Sequence, residues 1–246
     1  GYPSLEESLK LVETMAGCGV DFIEIQIPFS DPTADGPVIT QACQAALDGG
    51  VRVQDAFEFM EEVSGRYDLP FLFMSYFNIA FAYRQAASGG RGGADGVAGF
   101  VAASAAAGAS GLILPDLPPD MVREGYKEAC DSAGLHPVYV VSPNTGRERL
   151  EVIAEAGSGL LYATSRTGTT GKEMELEMQE LTGFLSNVRE TCGLPIAVGF
   201  SISTREQVEA LGGHADLAVV GTHFIRVWEQ GGIEALEAEL NKLTGA

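Results

Sequence analysis

Short apolar runs alternate with longer amphipathic segments along the whole chain. The runs are rich in Val, Ile, Leu and Phe, and they cover residues 21–27, 70–74, 111–115, 137–141, 159–164, 195–200 and 217–221. Nearly continuous apolar runs of this length are typical of strands that are covered on both faces, as in a parallel sheet. The pattern therefore predicts seven buried parallel strands.

The segments between these runs carry apolar residues at helical spacing. They predict helices over residues 4–19, 52–65, 97–109, 118–134, 147–157, 176–193 and 205–213. Ser4 followed by Glu7 is the pattern of a helix N-cap with a capping box. Several of the helical segments end at glycine, which is common at helix C-termini. The chain is thus predicted to be an alternation of strands and helices.

Repeated strand–helix units form either an open doubly wound sheet or a closed (β/α)8 barrel. The unit repeats without a break in composition, and no GxGxxG motif opens the chain, so the pattern favours the barrel. A barrel needs one strand more than the seven predicted, and its natural place is upstream of Gly1. We therefore expect a single TIM-barrel domain over residues 1–246 that is truncated at its N-terminus and lacks the first strand.

The charge balance limits the possible ligands. The chain has 15 Lys and Arg residues against 34 Asp and Glu residues, a net charge of −19. Such a surface repels nucleic acid and anionic lipid. A phosphorylated substrate would have to be held locally, by backbone N–H groups and helix N-termini.

Location and metal binding follow from other sequence features. No apolar run is long enough to span a membrane, and the N-terminus lacks the order of a signal peptide, so we expect a cytoplasmic protein. The four cysteines are widely spaced and are expected to be reduced and packed. The three histidines are scattered. We therefore expect no metal site.

The first predicted strand and the loop after it concentrate the candidate chemistry. Glu24 is a charged residue inside an otherwise apolar run, where it is costly unless it is paired or functional. The following loop carries Ser30, Asp31 and Asp35 between prolines and a glycine. By spacing alone, Glu24 could form an ion pair inside the barrel. Asp31 and Asp35 could equally form turns or cap the next helix.

Residues 24–39, EIQIPFSDPTADGPVI, resemble the signature of tryptophan synthase α subunits, E-L-G-I-P-F-S-D-P-x-A-D-G-P-x-I. The resemblance continues over almost the whole chain, in MSYFN, GLILPDLPPD, YATSRTGTTG, GFSIST and VVGTHFIR. It implies a lyase of tryptophan biosynthesis that cleaves indole-3-glycerol phosphate to indole and glyceraldehyde 3-phosphate. It also implies an α2β2 complex in which the β subunit, and not this chain, carries pyridoxal phosphate.

The resemblance assigns roles to the two carboxyl groups. Glu24 matches the general acid–base, which protonates the indole ring and removes the proton of the side-chain hydroxyl. Asp35 matches the carboxylate that accepts a hydrogen bond from the indole N–H and stabilises developing positive charge. Tyr162 matches the family tyrosine near the acid, for which simple core packing is the alternative.

The resemblance also implies substrate contacts near the last strands. Gly171, Gly199, Ser201, Gly221 and Thr222 match phosphate-binding positions, although each glycine by itself is compatible with a plain turn. Residues 165–175 match a loop that closes over the substrate, with Thr170 contacting the Asp35 loop.

Three residues depart from the usual family motif. Gln26 and Ser201 stand where the family usually has glycine, and Thr222 stands where it usually has serine. These departures bear on substrate affinity and rate more than on the fold, and Gln26 is the closest to the proposed acid.

Three alternatives remain at the level of sequence. The chain could be a catalytically weak subunit that activates a β partner, a standalone indole-releasing lyase, or another phosphate-binding barrel such as a sugar-phosphate isomerase. The retention of Glu24 and Asp35 argues against the first. The acidic loop argues against the isomerase. The standalone lyase shares every motif, so sequence leaves it open.

Overall fold

A computed structural model describes residues 1–84, 96–120, 125–164, 172–199 and 202–245, with the side chains of residues 172–179 left aside. Its strands are β1 (Ile23–Gln26), β2 (Phe71–Met74), β3 (Gly111–Ile113), β4 (His136–Val138), β5 (Val140–Val141), β6 (Leu161–Thr164), β7 (Ile196–Gly199) and β8 (Leu217–Val219). Each lies within, or within one residue of, a predicted strand. The predicted strand over residues 137–141 is split at Tyr139 into β4 and β5.

The helices are α1 (Leu5–Gly17), α2 (Pro37–Asp48), α3 (Val53–Arg66), α4 (Phe77–Ala82), α5 (Gly96–Ala106), α6 (Tyr126–Ala133), α7 (Arg147–Ala156), α8 (Lys172–Thr191), α9 (Arg205–Ala210) and α10 (Thr222–Thr244). The helix predicted over residues 118–134 was wrong at its start, because α6 begins at Tyr126. Helices α2, α4 and α10 were not among those predicted. The predicted loop 165–175 is wrong at its end, because α8 begins at Lys172.

Every strand pairing in the described part of the chain is parallel. The strands pair in the order β1-β2-β3-β4 and β5-β6-β7-β8. The Tyr162 amide donates a hydrogen bond to the Tyr139 carbonyl, which continues the sheet across the split between β4 and β5. Parallel strands alternating with helices form the α/β barrel arrangement that the sequence predicted. Within the described residues, the outer strands β1 and β8 are not paired with each other.

The sheet has two faces with different neighbours. Side chains that point to the helices form the main core, which includes Ile23, Ile25, Phe71 and Phe73. Side chains that point inward form a second cluster of Leu72, Met74, Tyr76, Ile113 and Val138, with Tyr162 and Phe29 packed against it. Because side chains alternate along a strand, Glu24 and Gln26 face inward with the second cluster.

Local features explain several boundaries. The Ser4 hydroxyl accepts a hydrogen bond from the Glu7 amide and caps α1, while the Glu7 carboxylate pairs with Lys10. Helix α10 is interrupted at Gly232, whose φ of +67° favours glycine. All four cysteines are buried and free of disulfides, as predicted. No helix in the described part of the chain is both long and apolar enough to cross a membrane.

Candidate active site

Glu24 lies in the middle of β1 and faces the interior of the sheet. Its strand neighbours Ile23 and Ile25 are buried against the helices, and its register partner on β2 is Leu72. The Oε2 atom of Glu24 is fully buried and has no hydrogen-bond partner among the described residues. The ion pair that sequence alone allowed for Glu24 is therefore not seen in these parts of the chain.

These surroundings change the acidity of Glu24. Burial, and to a smaller extent the negative charge of Asp35, raise the pKa of the Glu24 carboxyl from about 4.5 to about 7. A carboxyl with this pKa is substantially protonated at neutral pH. It can therefore donate a proton and later accept one.

Asp35 lies in the loop between β1 and α2 and is held by two hydrogen bonds. The Gln26 Nε2 and the Tyr76 hydroxyl each donate to Asp35 Oδ2 over 2.7 Å. The Ala34 amide in turn donates to the Tyr76 hydroxyl oxygen over 3.0 Å. No described residue donates to Asp35 Oδ1. Two side chains thus hold one carboxylate oxygen, while the other accepts no hydrogen bond from the described residues.

Two opposing effects act on the pKa of Asp35. Burial raises the pKa of this carboxyl, whereas the hydrogen bonds from Tyr76 and Gln26 lower it, and burial has the larger effect. The two donors therefore favour the ionised form, but they do not fully offset burial, and the pKa of Asp35 remains above its ordinary value.

The other loop residues do not act as helix caps. Helix α2 begins after Gly36, and no side chain caps its N-terminus. Asp31 is exposed and accepts a hydrogen bond from the Ser30 hydroxyl over 2.5 Å. The capping role that spacing allowed for Asp31 and Asp35 is therefore excluded by the structure.

Tyr162 lies on the inner face of β6 and packs on Gly199 at the end of β7. A Cβ atom built at Gly199 would lie 2.8 Å from the Tyr162 hydroxyl oxygen, closer than real contacts allow. Burial raises the pKa of the Tyr162 phenol, and the charges of Glu24 and Asp35 add to that effect. Tyr162 is therefore near both carboxyls, whereas the resemblance placed it near Glu24 alone, and the missing side chain of Gly199 leaves the space that its ring occupies.

Gly221 and Thr222 mark the N-terminus of α10, directly after β8. Gly221 is the N-cap residue and offers no side chain, so the first amides of the helix are free of a side-chain cap. A Cβ atom at Gly221 would meet only Ile39 Cδ1, at 3.8 Å. Free amides at a helix N-terminus form a site suited to an anion. Of the other predicted contacts, Thr170, Gly171 and Ser201 lie outside the described residues.

One cavity of about 990 Å³ joins these groups. Its walls include Glu24, Asp35, Tyr162, Gly199, Gly221 and Thr222, and it extends between β1 and β8. Among its described lining residues, Arg205 is the one Lys or Arg, and its guanidinium bonds to Glu209 and to the Leu243 carbonyl. The described residues contain no group of three or more His, Cys, Asp or Glu side chains that could hold a metal ion.

Two residues of the site were not assigned roles from sequence. Tyr76 and Gln26 both bond to Asp35, yet Tyr76 was noted only as part of the MSYFN match and Gln26 only as a departure from the motif. A usable signal existed for both. Gln26 lies two residues after Glu24, and Tyr76 two residues after Met74, so each continues the inward-facing series of its strand.

Comparison with known proteins gives consistent matches over the full chain. A family model described as tryptophan synthase alpha chain matches residues 1–245. The tryptophan synthase alpha chain of Syntrophotalea carbinolica is 43% identical over 243 residues, covering 99% of this chain and 90% of the relative. That of Desulforapulum autotrophicum is 43% identical over 236 residues, covering 96% and 88%. A structure from the tryptophan synthase α2β2 complex of Pyrococcus furiosus superposes with a TM-score of 0.86 at 30% identity, covering 99% of this chain and 94% of the other.

Proposed function

The chain belongs to the tryptophan synthase alpha chain family, and from that premise we propose that Glu24 and Asp35 carry its reaction. The family cleaves indole-3-glycerol phosphate as a lyase of tryptophan biosynthesis, and this chain has that role. The observation that supports the assignment is the pairing of two carboxyls in one cavity with different surroundings. Glu24 is partly exposed, and its buried Oε2 atom has no hydrogen-bond partner among the described residues, whereas Asp35 is hydrogen-bonded in a loop.

Glu24 performs the proton transfers in this proposal. Neutral Glu24 donates its proton to ring carbon C3 of the indole, and the ring becomes a cation that can accept electrons. The bond between C3 and the glycerol phosphate side chain then breaks, and its electron pair returns to the ring. The Glu24 carboxylate takes the proton of the adjacent hydroxyl, whose carbon becomes the aldehyde. One carboxyl that begins protonated serves both steps.

Asp35 stabilises the charge that develops on the indole. Protonation at C3 places positive charge at the ring nitrogen, and the indole N–H then becomes a stronger donor. Asp35 Oδ1, which no described residue occupies, accepts this hydrogen bond. Because Oδ2 is already held by Gln26 and Tyr76, the carboxylate does not have to reorganise as the charge forms.

The phosphate end of the substrate is assigned to the far side of the cavity. The free amides at the N-terminus of α10, after Gly221, carry the positive end of a helix dipole. The segments 199–203 and 219–223 contain no Lys or Arg. Backbone N–H groups and the Thr222 hydroxyl are therefore the donors proposed for the phosphate, and Gly171, Gly199 and Ser201 remain proposed contacts.

The chain pairs with a tryptophan synthase β subunit, and the P. furiosus structure comes from such an α2β2 complex. We further propose that the reaction of this chain uses no cofactor of its own, with pyridoxal phosphate confined to the β subunit. The proposed location is the cytoplasm. We also propose that the loop after β6 closes over the substrate, with Thr170 contacting the loop that carries Asp35.

The experiment that tests the function is an indole-release assay on the purified chain with indole-3-glycerol phosphate. The assay is run with the chain alone and with a β subunit. Release that rises strongly on adding the β subunit supports the α-subunit role, whereas full activity of the chain alone indicates a standalone lyase. No release under either condition would contradict the proposed chemistry.

A further inference from the structure

Gln26 lies on the same strand as Glu24, two residues further along, and its side-chain amide bonds to Asp35. We propose that Gln26 is a positioning residue, whose side-chain amide fixes Asp35 Oδ2 and leaves Oδ1 to receive the indole N–H. This inference rests on the function proposed above and adds a residue to it. The observation that carries it is the 2.7 Å hydrogen bond from Gln26 Nε2 to Asp35 Oδ2.

The bond links a rigid element to a loop. Gln26 is the last residue of β1 and pairs in register with Met74 of β2, so its backbone is fixed by the sheet. Asp35 is in a loop and is about half buried. Tyr76, which follows β2 and is almost fully buried, holds the same oxygen from the neighbouring strand. Two adjacent strands thus orient one carboxylate.

The chemistry of an amide suits this position better than a cation would. A Lys or Arg at residue 26 would hold Asp35 ionised, but its charge would also stabilise ionised Glu24, two residues away on the same face. Glu24 would then lose the raised pKa that lets it act as an acid. The neutral Gln26 amide donates to Asp35 without adding charge. It therefore supports the anion and leaves the acid protonated.

The test is the variant Gln26→Met, which keeps the length of the side chain and removes the donor. The matched control is Gln44→Met, because the exposed Gln44 makes an equivalent bond of 2.8 Å to Asp48 on α2, outside the cavity. Both variants are assayed for indole release together with the β subunit. The readouts are kcat, KM and the dependence of kcat/KM on pH, and circular dichroism checks the fold.

In Gln26→Met we expect kcat to fall about tenfold with little change in KM, since the lost contact acts on the charge of the transition state. We also expect the acidic limb of kcat/KM to move up by about one pH unit, because Asp35 loses a donor that favours its ionised form. Gln44→Met should change neither. An unmoved acidic limb would overturn the proposal even if activity fell, because a packing defect alone leaves that limb in place.

A second measurement separates this inference from the proposed function. The pKa of Asp35 is followed by carboxyl ¹³C chemical shifts in the ligand-free chain, wild type and Gln26→Met. A rise in the variant supports the positioning role whether or not indole is released, and an unchanged pKa refutes it. If Gln26→Met does not fold, Gln26→Ala removes the same donor and serves in both measurements.

Discussion

The two sides of the cavity offer different chemical groups, side chains on one side and mainly backbone on the other. On the β1–β2 side, side chains form the site: Glu24, Gln26, Asp35 and Tyr76. On the β7–β8 side, the predicted contacts that fall within the described residues are two glycines, Gly199 and Gly221, and the small residue Thr222 at the start of a helix. Proton transfer requires titratable groups with adjusted pKa values, whereas an anion can be held by backbone amides alone.

The charge of the chain explains why this division is useful. With a net charge of −19, the protein gives a phosphorylated substrate no long-range attraction. A cluster of Lys or Arg near the phosphate would bind it, but such a cluster would also lower the pKa of Glu24 across the same cavity. Backbone dipoles act over a short range and avoid that conflict. We call the β1–β2 side, with Glu24 and Asp35, the side-chain half, and the β7–β8 side, with Gly199 and Gly221, the backbone half. The next four experiments test the contrast between these two halves.

The largest expected effect is the loss of the acid. Glu24→Gln should reduce indole release by roughly 10²- to 10⁴-fold, because general acid–base groups usually contribute that much. The measurement is kcat for indole release with the β subunit present, and the exposed Glu61→Gln on α3 is the control. Activity of Glu24→Gln within about tenfold of wild type would show that the proton moves through another group.

Asp35→Asn should have the next largest effect. The variant keeps the shape of the side chain but removes the charge opposite the indole N–H, and we expect a loss of about 10²-fold, mostly in kcat. Steady-state kinetics on the α2β2 complex measure it, with Asp48→Asn on α2 as the control. A change confined to KM would mean that Asp35 binds the substrate without stabilising the transition state.

Glu24 should also make the protein less stable at higher pH. Its folded pKa of about 7 lies above its ordinary value of about 4.5, so the folded state binds more protons between these pH values. Stability therefore falls as pH rises through that window. Glu24→Gln should remove this penalty and be more stable than wild type at pH 8 by up to about 3 kcal/mol, with little difference below pH 4.5.

Urea unfolding of wild type and Glu24→Gln at several pH values measures this effect. The exposed Glu61→Gln controls for the general loss of a carboxylate. An equal stability difference at low and high pH would show that burial does not perturb Glu24. A carboxyl whose burial opposes folding is what we expect to distinguish this side of the cavity from a packed core.

The smallest effect concerns the two glycines of the backbone half. Gly199→Ala should destabilise the protein by about 1 to 2 kcal/mol, because its Cβ would meet the Tyr162 ring. Gly221→Ala meets only Ile39 at 3.8 Å and should be nearly neutral for stability. Urea unfolding compares the two. Equal destabilisation would mean that Gly199 is not required by Tyr162, and KM for each variant reports separately on phosphate binding.

The apolar runs alone predicted the positions of the described strands to within one residue, though not the split at Tyr139, because a strand buried on both faces must be apolar along its length. The apolar pattern missed or misplaced several helices, and some of these errors have identifiable reasons. Helix α4 has six residues, too few for a helical period to be recognised. Helix α10 contains Gly231 and Gly232, which interrupt the pattern where the structure has its kink. The start of α6 was placed too early, across the two prolines at 118 and 119.

In the site, sequence by itself determined which groups are present and, through the motif resemblance, which family reaction they fit. It could not decide that Gln26 and Tyr76 share one oxygen of Asp35, or that Gly199 serves the ring of Tyr162. Those contacts join residues 9, 41 and 37 positions apart in the chain. Local spacing encodes the face of a strand on which a residue lies. Only the pairing of strands brings those faces together, and the resulting burial sets the acidity of Glu24.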